Sequence, residues 1–230
     1  APCPIGIKQA MLDWWGPCVW EYYAATEGGG TIASPDDWKT RPGTVGTAWP
    51  ISEIMIADEN GGVCPAGEPG TIYMKMGLSD FAYKDDPEKT AANRLGGYFT
   101  VGDIGYLDDG GYLFLCDRKS DMIISGGANI YPAEVEAEII MHPRVADVAV
   151  FGIPDEDWGE QIKAVIQPAP GVTGDDELAA EILASLDGRL ARMKWPKSID
   201  FVDELPRDPS GKLLKRRLRD PYWQDRATSI

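Results

Sequence analysis

The chain has 230 residues, 43% hydrophobic and 26% charged, with 22 Lys+Arg against 37 Asp+Glu and a net charge of −15. This is a globular composition with enough chain for a sizeable core and more than one domain, and the acidic balance argues against a nucleic-acid binder, which carries a basic face. No stretch approaches the ~20 continuous apolar residues of a spanning helix, and the four separated cysteines and the single histidine, His142, argue against zinc knuckles and histidine triads.

Neither an initiator Met nor a signal-peptide layout opens the sequence. Pro4 followed by Ile5, Ile7, Ala10, Met11 and Trp14 predicts an amphipathic helix over residues 4–15, as though the chain began inside a fold. "VWEYYAAT" (19–26) reads as a strand running into a loop. From Thr44 to Asp117 short strands alternate with Gly/Pro/Asp turns, among them "SEIMIAD", "GTIYMKM" and "GYLDDGGYLFLCD". The last predicts a hairpin on a two-residue Asp109-Gly110 turn, and the whole stretch a small twisted sheet or partial barrel. "DMIISGGANIYP" then forms a two-strand unit, and Pro132 opens a helix with Glu134 and Glu136 in its first turns, where the helix dipole favours acids. His142 sits at that helix's end in a capping or surface role. "VADVAVFGIPD", "EQIKAVIQPA" and "SIDFVDEL" read as strands. A second helix over 175–193 carries Leu178, Ile182, Leu186, Leu190 and Met193 on one face. The expectation is an α+β chain: residues 1–117 ending in the β-rich sheet, then a compact α+β domain over 118–230.

Four stretches carry candidate chemistry. In "YYAATEGGG", Tyr23 offers an aromatic face, Thr26 a hydroxyl, Glu27 a carboxylate, and Gly28 to Gly30 a backbone free to approach a ligand; stacked base, phosphate contact and magnesium ligand is one coherent reading, and a strand-to-loop junction with a core Tyr is the other. In "YFTVGDIGYL", Asp103 can accept both hydroxyls of a ribose or cap its own turn. Arg118 can reach a ribose or phosphate or form a structural salt bridge, and "SGG" (125–127) suits a narrow channel or a plain turn. Finally, "LPRDPSGKLLKRRLRD" presents Lys212 on a Ser-Gly turn, either to pair with a carboxylate or phosphate that develops charge during reaction or as part of a solvated basic helix face.

In this order the four stretches resemble the adenylate-forming superfamily of acyl-CoA synthetases, luciferases and peptide-synthetase adenylation domains, over essentially the whole chain. "YYAATEG" is similar to its Tyr-x-x-Thr-Glu motif, with Ala24 where Gly is usual; "VGD" resembles its Thr-Gly-Asp, with Val101 in place of Thr. "DRKSDMIISGGANIYPAEVE" is similar to the hinge and thiol-tunnel motif of the fatty acyl-CoA and coumarate-CoA ligase branch, and "LPRDPSGKLLKRRLR" to the terminal motif with the catalytic Lys. The resemblance implies that Tyr23 stacks on adenine, Thr26 contacts phosphate, Glu27 holds Mg²⁺, Asp103 binds the ribose hydroxyls and Arg118 supports ribose and phosphate. Lys212 would bridge carboxylate and α-phosphate, Gly126 and Gly127 would line the pantetheine path, and Ser120 would be the hinge, where the family more often has Asp or Lys. ATP or AMP, Mg²⁺, CoA and a carboxylic acid are the implied ligands.

The family's Gly/Ser/Thr-rich phosphate loop is not found in these 230 residues. The expectation is therefore the C-terminal part of a longer ligase that works with its N-terminal half, as one piece of a polypeptide or one of two chains. The alternatives are a catalytically silent nucleotide- or CoA-binding fragment, and part of a peptide-synthetase-type adenylation domain. The expected location is the reducing cytoplasm, with no nucleic-acid partner and the oligomeric state, including a homo-oligomer, left open. Lys215 to Arg219 reads as a solvated helix.

Overall fold

Alternating apolar and polar residues, with glycine at the bends, build most of the first half of the chain into strands. The computed structural model describes residues 3–77 and 81–224, and the chain divides into two compact units, Ala1–Ser120 and Asp121–Ile230. In the first, helix α1 (Ile5–Trp15) precedes β1 (Glu21–Ala24), β2 (Gly30–Ala33), helix α2 (Pro35–Thr40), β3 (Thr44–Ala48), β4 (Ser52–Ala57) and β5 (Gly70–Met76). The short helix α3 (Pro87–Ala92), β6 (Arg94–Leu95), β7 (Tyr98–Phe99), β8 (Asp103–Leu107) and β9 (Leu113–Arg118) follow. The strands form one antiparallel sheet in the order β1-β2-β3-β9-β8-β5-β7-β6, with β4 on β5. This path has two free ends, so the sheet is open and no barrel closes. Tyr23, Val45, Ile56, Ile72, Met74, Phe99 and Leu113 form its core.

In the second unit, β10 (Ile123–Ser125) and β11 (Ala128–Ile130) make a hairpin, followed by helix α4 (Pro132–Ile139), β12 (Val145–Asp155), β13 (Gly159–Pro168), helix α5 (Asp176–Ser185), β14 (Ser198–Phe201) and helix α6 (Lys215–Arg219). The sheet order is β11-β10-β13-β12, and β14 lies parallel to β13. A parallel pair needs a crossover, and α5 lies in that connection. The long apolar run of β12 is buried on both faces: Val148 and Val150 point to a core with Ile139, Ile162, Leu178 and Ile182, whereas Ala149, Phe151 and Ile153 point to a second with Val165 and Leu205. Leu213 and Leu218 pack on this second core and anchor the C-terminal segment.

Several expected elements come out differently. Helix α1 forms, but its apolar stripe faces outward: Ile5, Trp14 and Trp15 are exposed, and the buried residues are Lys8 and Leu12. Lys8 turns inward because Glu21 meets its ammonium at 2.5 Å and the Trp38 ring lies 5.1 Å from it. Helix α5 stops at Ser185 rather than running to Met193. Gly188 adopts φ +73° just beyond it, and although Leu186 and Leu190 stay in the core, Met193 is exposed. Strand β14 ends at Phe201, short of the expected 205. The β8–β9 connection is a three-residue loop, with Asp108 N–H bonded to the Tyr112 carbonyl at 3.0 Å and Gly111 at φ +75°, not a two-residue Asp-Gly turn. No helix among the described residues is long and apolar enough to cross a membrane.

Candidate active site

The first unit brings three of the singled-out residues together. Tyr23 is the inward residue of β1, and Asp103 opens β8 directly opposite Arg118 at the end of β9. The Tyr23 hydroxyl donates to Asp103 Oδ2 at 2.8 Å across 80 residues of sequence. Arg118 Nε lies 3.5 Å from Asp103 Oδ1. The strand ends are pinned by Gly102 at φ +83°, which accepts the Lys119 N–H at 2.8 Å. Burial, followed by the charge and hydrogen bond of Asp103, pushes the Tyr23 phenol far above its ordinary value, so it stays a donor. Asp103 keeps lone pairs beyond these two contacts, as a carboxylate that receives further hydroxyl groups must.

Thr26 and Glu27 lie in the loop after β1. The Thr26 hydroxyl donates to Glu27 Oε2 at 2.9 Å, and the Tyr83 hydroxyl donates to Glu27 Oε1, also at 2.9 Å. Burial works to raise the Glu27 carboxyl, but hydrogen bonds from Tyr83, its own backbone and Thr26 outweigh it and hold the group below the usual range. An ionised carboxylate with a neighbouring hydroxyl fits Mg²⁺, a hard cation that binds one or two carboxylates and takes its remaining ligands from water and substrate phosphates. No group of three His, Cys, Asp or Glu able to hold a metal occurs among the described residues. The glycines after Glu27 serve packing rather than open approach: Gly29 sits at φ +84° with its N–H on Met76 Sδ at 3.4 Å, and an added Cβ would lie 3.0 Å from Met74 Cβ. They let the loop lie down on β5.

In the second unit, Gly126 (φ +57°) and Gly127 (φ +80°) are the two central residues of the β10–β11 hairpin, a conformation that demands glycine. Gly126 N–H donates to the Trp158 carbonyl at 2.8 Å, and the Trp158 ring covers the place a Gly126 side chain would take. Trp158 itself is largely exposed, an aromatic face beside two bare backbone units that sequence reading passed over.

Lys212 is presented by a turn that occurs three times among the described residues. In each, an Asp N–H donates to the carbonyl four residues on, the fourth residue is a glycine with positive φ, and the Asp carboxylate accepts the N–H groups two and four residues later. The turns begin at Asp58, Asp108 and Asp208. In the third, Asp208 Oδ1 accepts from Ser210 N–H at 2.9 Å, Ser210 Oγ at 2.6 Å and Lys212 N–H at 3.0 Å, while Gly211 takes φ +87°. The Ser210 hydroxyl and the Lys212 N–H hold the Asp208 carboxyl below its usual range. Arg207 closes the loop with an ion pair to Asp147 and a 2.6 Å bond to the Gly211 carbonyl. The backbone is thus fixed while the Lys212 side chain stands in solvent. The following helix is less solvated than expected, because Lys215 Nζ reaches Glu136 Oε1 at 2.7 Å with both side chains mostly covered.

Tyr23, Asp103 and Arg118 therefore form one cluster. Glu27 forms a second with Thr26 and Tyr83, near enough for its charge to act on Tyr23. Ser120 closes the first unit, and Gly126, Gly127 and Lys212 occupy separate turns of the second. Tyr83 was invisible to sequence reading, since nothing local links it to a residue 56 positions earlier.

Two family models match: the AMP-binding enzyme model over residues 1–77 and the AMP-binding enzyme C-terminal domain over residues 134–212. A long-chain-fatty-acid–CoA ligase of Mycobacterium tuberculosis, FadD13, is 41% identical over 87% of this chain and 39% of its own length. Feruloyl-CoA synthase of an Amycolatopsis species is 39% identical over 95% of this chain and 44% of its own. Among solved structures, the o-succinylbenzoate CoA synthetase of Bacillus subtilis in complex with its acyl-adenylate intermediate superposes with a TM-score of 0.83 at 35% identity, covering 96% of this chain and 44% of that one. The chain thus spans less than half the length of these relatives.

Proposed function

We propose that this chain, which matches the AMP-binding enzyme models over residues 1–77 and 134–212, is the C-terminal part of an AMP-forming acyl-CoA ligase. Such a ligase joins a carboxylic acid to CoA at the expense of ATP. In the first half-reaction the carboxylate attacks the α-phosphate of ATP, giving acyl-AMP and pyrophosphate. In the second the CoA thiol attacks the acyl carbon and AMP leaves.

The observation that carries this reading is the convergence of Tyr23, Asp103 and Arg118, with a 2.8 Å phenol–carboxylate bond and a 3.5 Å guanidinium–carboxylate contact. In this assignment Tyr23 offers its ring to adenine while its hydroxyl holds Asp103. Asp103 accepts the ribose hydroxyls, and Arg118 faces ribose and phosphate. Thr26 donates to phosphate, and Glu27 with Thr26 would hold Mg²⁺. When bound, Mg²⁺ supplies charge neutralisation where two anions must meet. Lys212 supplies the second neutralising charge by bridging the carboxylate and the α-phosphate. Its rigid turn suits the task, because a fixed backbone leaves only the side chain to order.

For thioester formation the second unit rotates about Ser120, so that Lys212 leaves and the Gly126–Gly127 turn meets the pantetheine arm. The division of the chain between Ser120 and Asp121 supports that hinge. The upstream part of the same ligase supplies the phosphate loop and most of the acyl pocket. Ile5, Trp14 and Trp15 of α1, together with Trp20 and Tyr22, are exposed apolar side chains that such a part could cover. The four free cysteines suit the reducing cytoplasm.

The test places the chain behind the N-terminal portion of a homologous ligase and supplies ATP, Mg²⁺, CoA and a panel of acids, or pre-made acyl-AMP and CoA. Lys212→Ala should cripple the first reaction far more than the second. Equal loss in both, or no thioester from any acid or acyl-AMP, overturns the assignment.

A further inference from the structure

Tyr83 lies outside every motif considered so far, yet its hydroxyl is bonded to the carboxylate proposed for the metal. The loop that carries it is tightly built. Tyr83 N–H donates to Thr90 Oγ1 at 2.9 Å, and Thr90 Oγ1 in turn donates to the Asp86 carbonyl at 2.9 Å. Asp86 caps α3 by accepting the Lys89 N–H at 3.0 Å. Phe81 meets the Tyr83 ring edge-on at 5.2 Å, and Lys89 Nζ stands 4.4 Å from its centre. A phenol on so determined a ring is a fixed donor rather than a wandering surface group.

The two oxygens of Glu27 are held differently. Oε1 is tied to this fixed phenol, whereas Oε2 is tied to the hydroxyl of exposed Thr26, a rotor that can turn to another acceptor. We infer that Tyr83 is a positioning residue for Glu27: its hydroxyl keeps Oε1 in place and so presents Oε2 to the divalent cation that accompanies a nucleotide's phosphates. Arrival of the phosphate draws the Thr26 hydroxyl away and frees the lone pair on Oε2, while Oε1 stays anchored. The division of labour is that of outer partners at metal sites, which orient a ligand without touching the metal. This inference rests on the assignment of Glu27 under the proposed function and adds the residue that orients it.

The experiment measures binding of Mn²⁺, as a probe for Mg²⁺, by electron paramagnetic resonance in the presence of a non-hydrolysable ATP analogue. It compares the chain joined behind the N-terminal portion of a homologous ligase with the same chimera carrying Tyr83→Phe, Glu27→Gln or both. Tyr83→Phe should weaken Mn²⁺ binding by about tenfold, the lower end for loss of an outer partner, and leave metal-free nucleotide binding unchanged. In the Glu27→Gln background the same substitution should have no effect. A melting curve of each variant separates orientation from general loss of structure. Unchanged Mn²⁺ affinity in Tyr83→Phe, or an equal loss with and without Glu27, overturns the inference while leaving Glu27 as the metal ligand. Failure of the unsubstituted chimera to bind Mn²⁺ with the nucleotide analogue removes the metal role of Glu27, and the role of Tyr83 with it.

Discussion

Tyr23→Phe removes one oxygen and tests the cluster on which the nucleotide assignment rests. Tyr23 is 9% exposed and its hydroxyl donates to Asp103 at 2.8 Å. A hydrogen bond to a charged partner is worth about 1.5–3 kcal/mol. Asp103 keeps its Arg118 contact at 3.5 Å, so the lower part of that range, about 1.5–2 kcal/mol, is the expected loss at pH 8. For a unit of this size that corresponds to a fall in Tm of about 6–8 °C. The pH dependence carries a second signature. The folded-state value of Tyr23 is raised by burial and by Asp103, so its contribution is fully present below the unfolded value of about 10 and is lost as the pH rises above it. The gap between native and variant should therefore narrow above about pH 10. Urea unfolding followed by tryptophan fluorescence at pH 8 and pH 11 measures both. A gap below about 0.5 kcal/mol at pH 8, or one that does not change with pH, would refute the coupling of Tyr23 to Asp103.

Gly211 sits at φ +87° with open space around it, so Gly211→Ala should cost the Lys212 turn about 1–2 kcal/mol from backbone conformation alone; hydrogen exchange should show lost protection at the Gly211 and Lys212 amides. The Asp208 carboxyl is held low by the Ser210 hydroxyl and the Lys212 N–H, so its support of the turn is present above the unfolded value of about 3.9 and should fade as the pH falls through the folded one; exchange at the same amides between pH 6 and pH 3 follows it. Gly126→Ala should destabilise the second unit by more than about 1 kcal/mol, since the residue is at positive φ and its Cβ meets the Trp158 ring. Chemical unfolding in a Trp158→Ala background should recover the steric part and leave the conformational part.

What the sequence disclosed follows physical lines. The strands of the second unit were legible because β12 and β13 are long apolar runs bounded by Gly and Pro. The apolar spacing of the second helix is legible as far as Leu190, which stays in the core although α5 itself ends at Ser185, and Gly188 at positive φ breaks the periodicity before Met193. Helix α1 was legible as an amphipathic helix, but its exposed stripe and inward Lys8 were not, because only the fold brings Glu21 and Trp38 to Lys8. The Asp109-Gly110 pair promised a two-residue turn, but the next glycine took the left-handed position and made a three-residue loop. Tyr23, Asp103 and Arg118 stood out in the sequence because each residue type carries a distinct chemistry, and the fold brings the three together. Tyr83 did not stand out because its bond to Glu27 exists only through a contact that tertiary structure creates.

The most direct measurement is titration of AMP by calorimetry into the chain joined behind the N-terminal portion of a homologous ligase and into the same chimera carrying Asp103→Ala. Saturable binding by the unsubstituted chimera, weakened at least about tenfold by loss of the ribose-facing carboxylate, is the predicted result. Equal binding by both, or none by the unsubstituted chimera, would contradict the assignment of Tyr23, Asp103 and Arg118 to a nucleotide site.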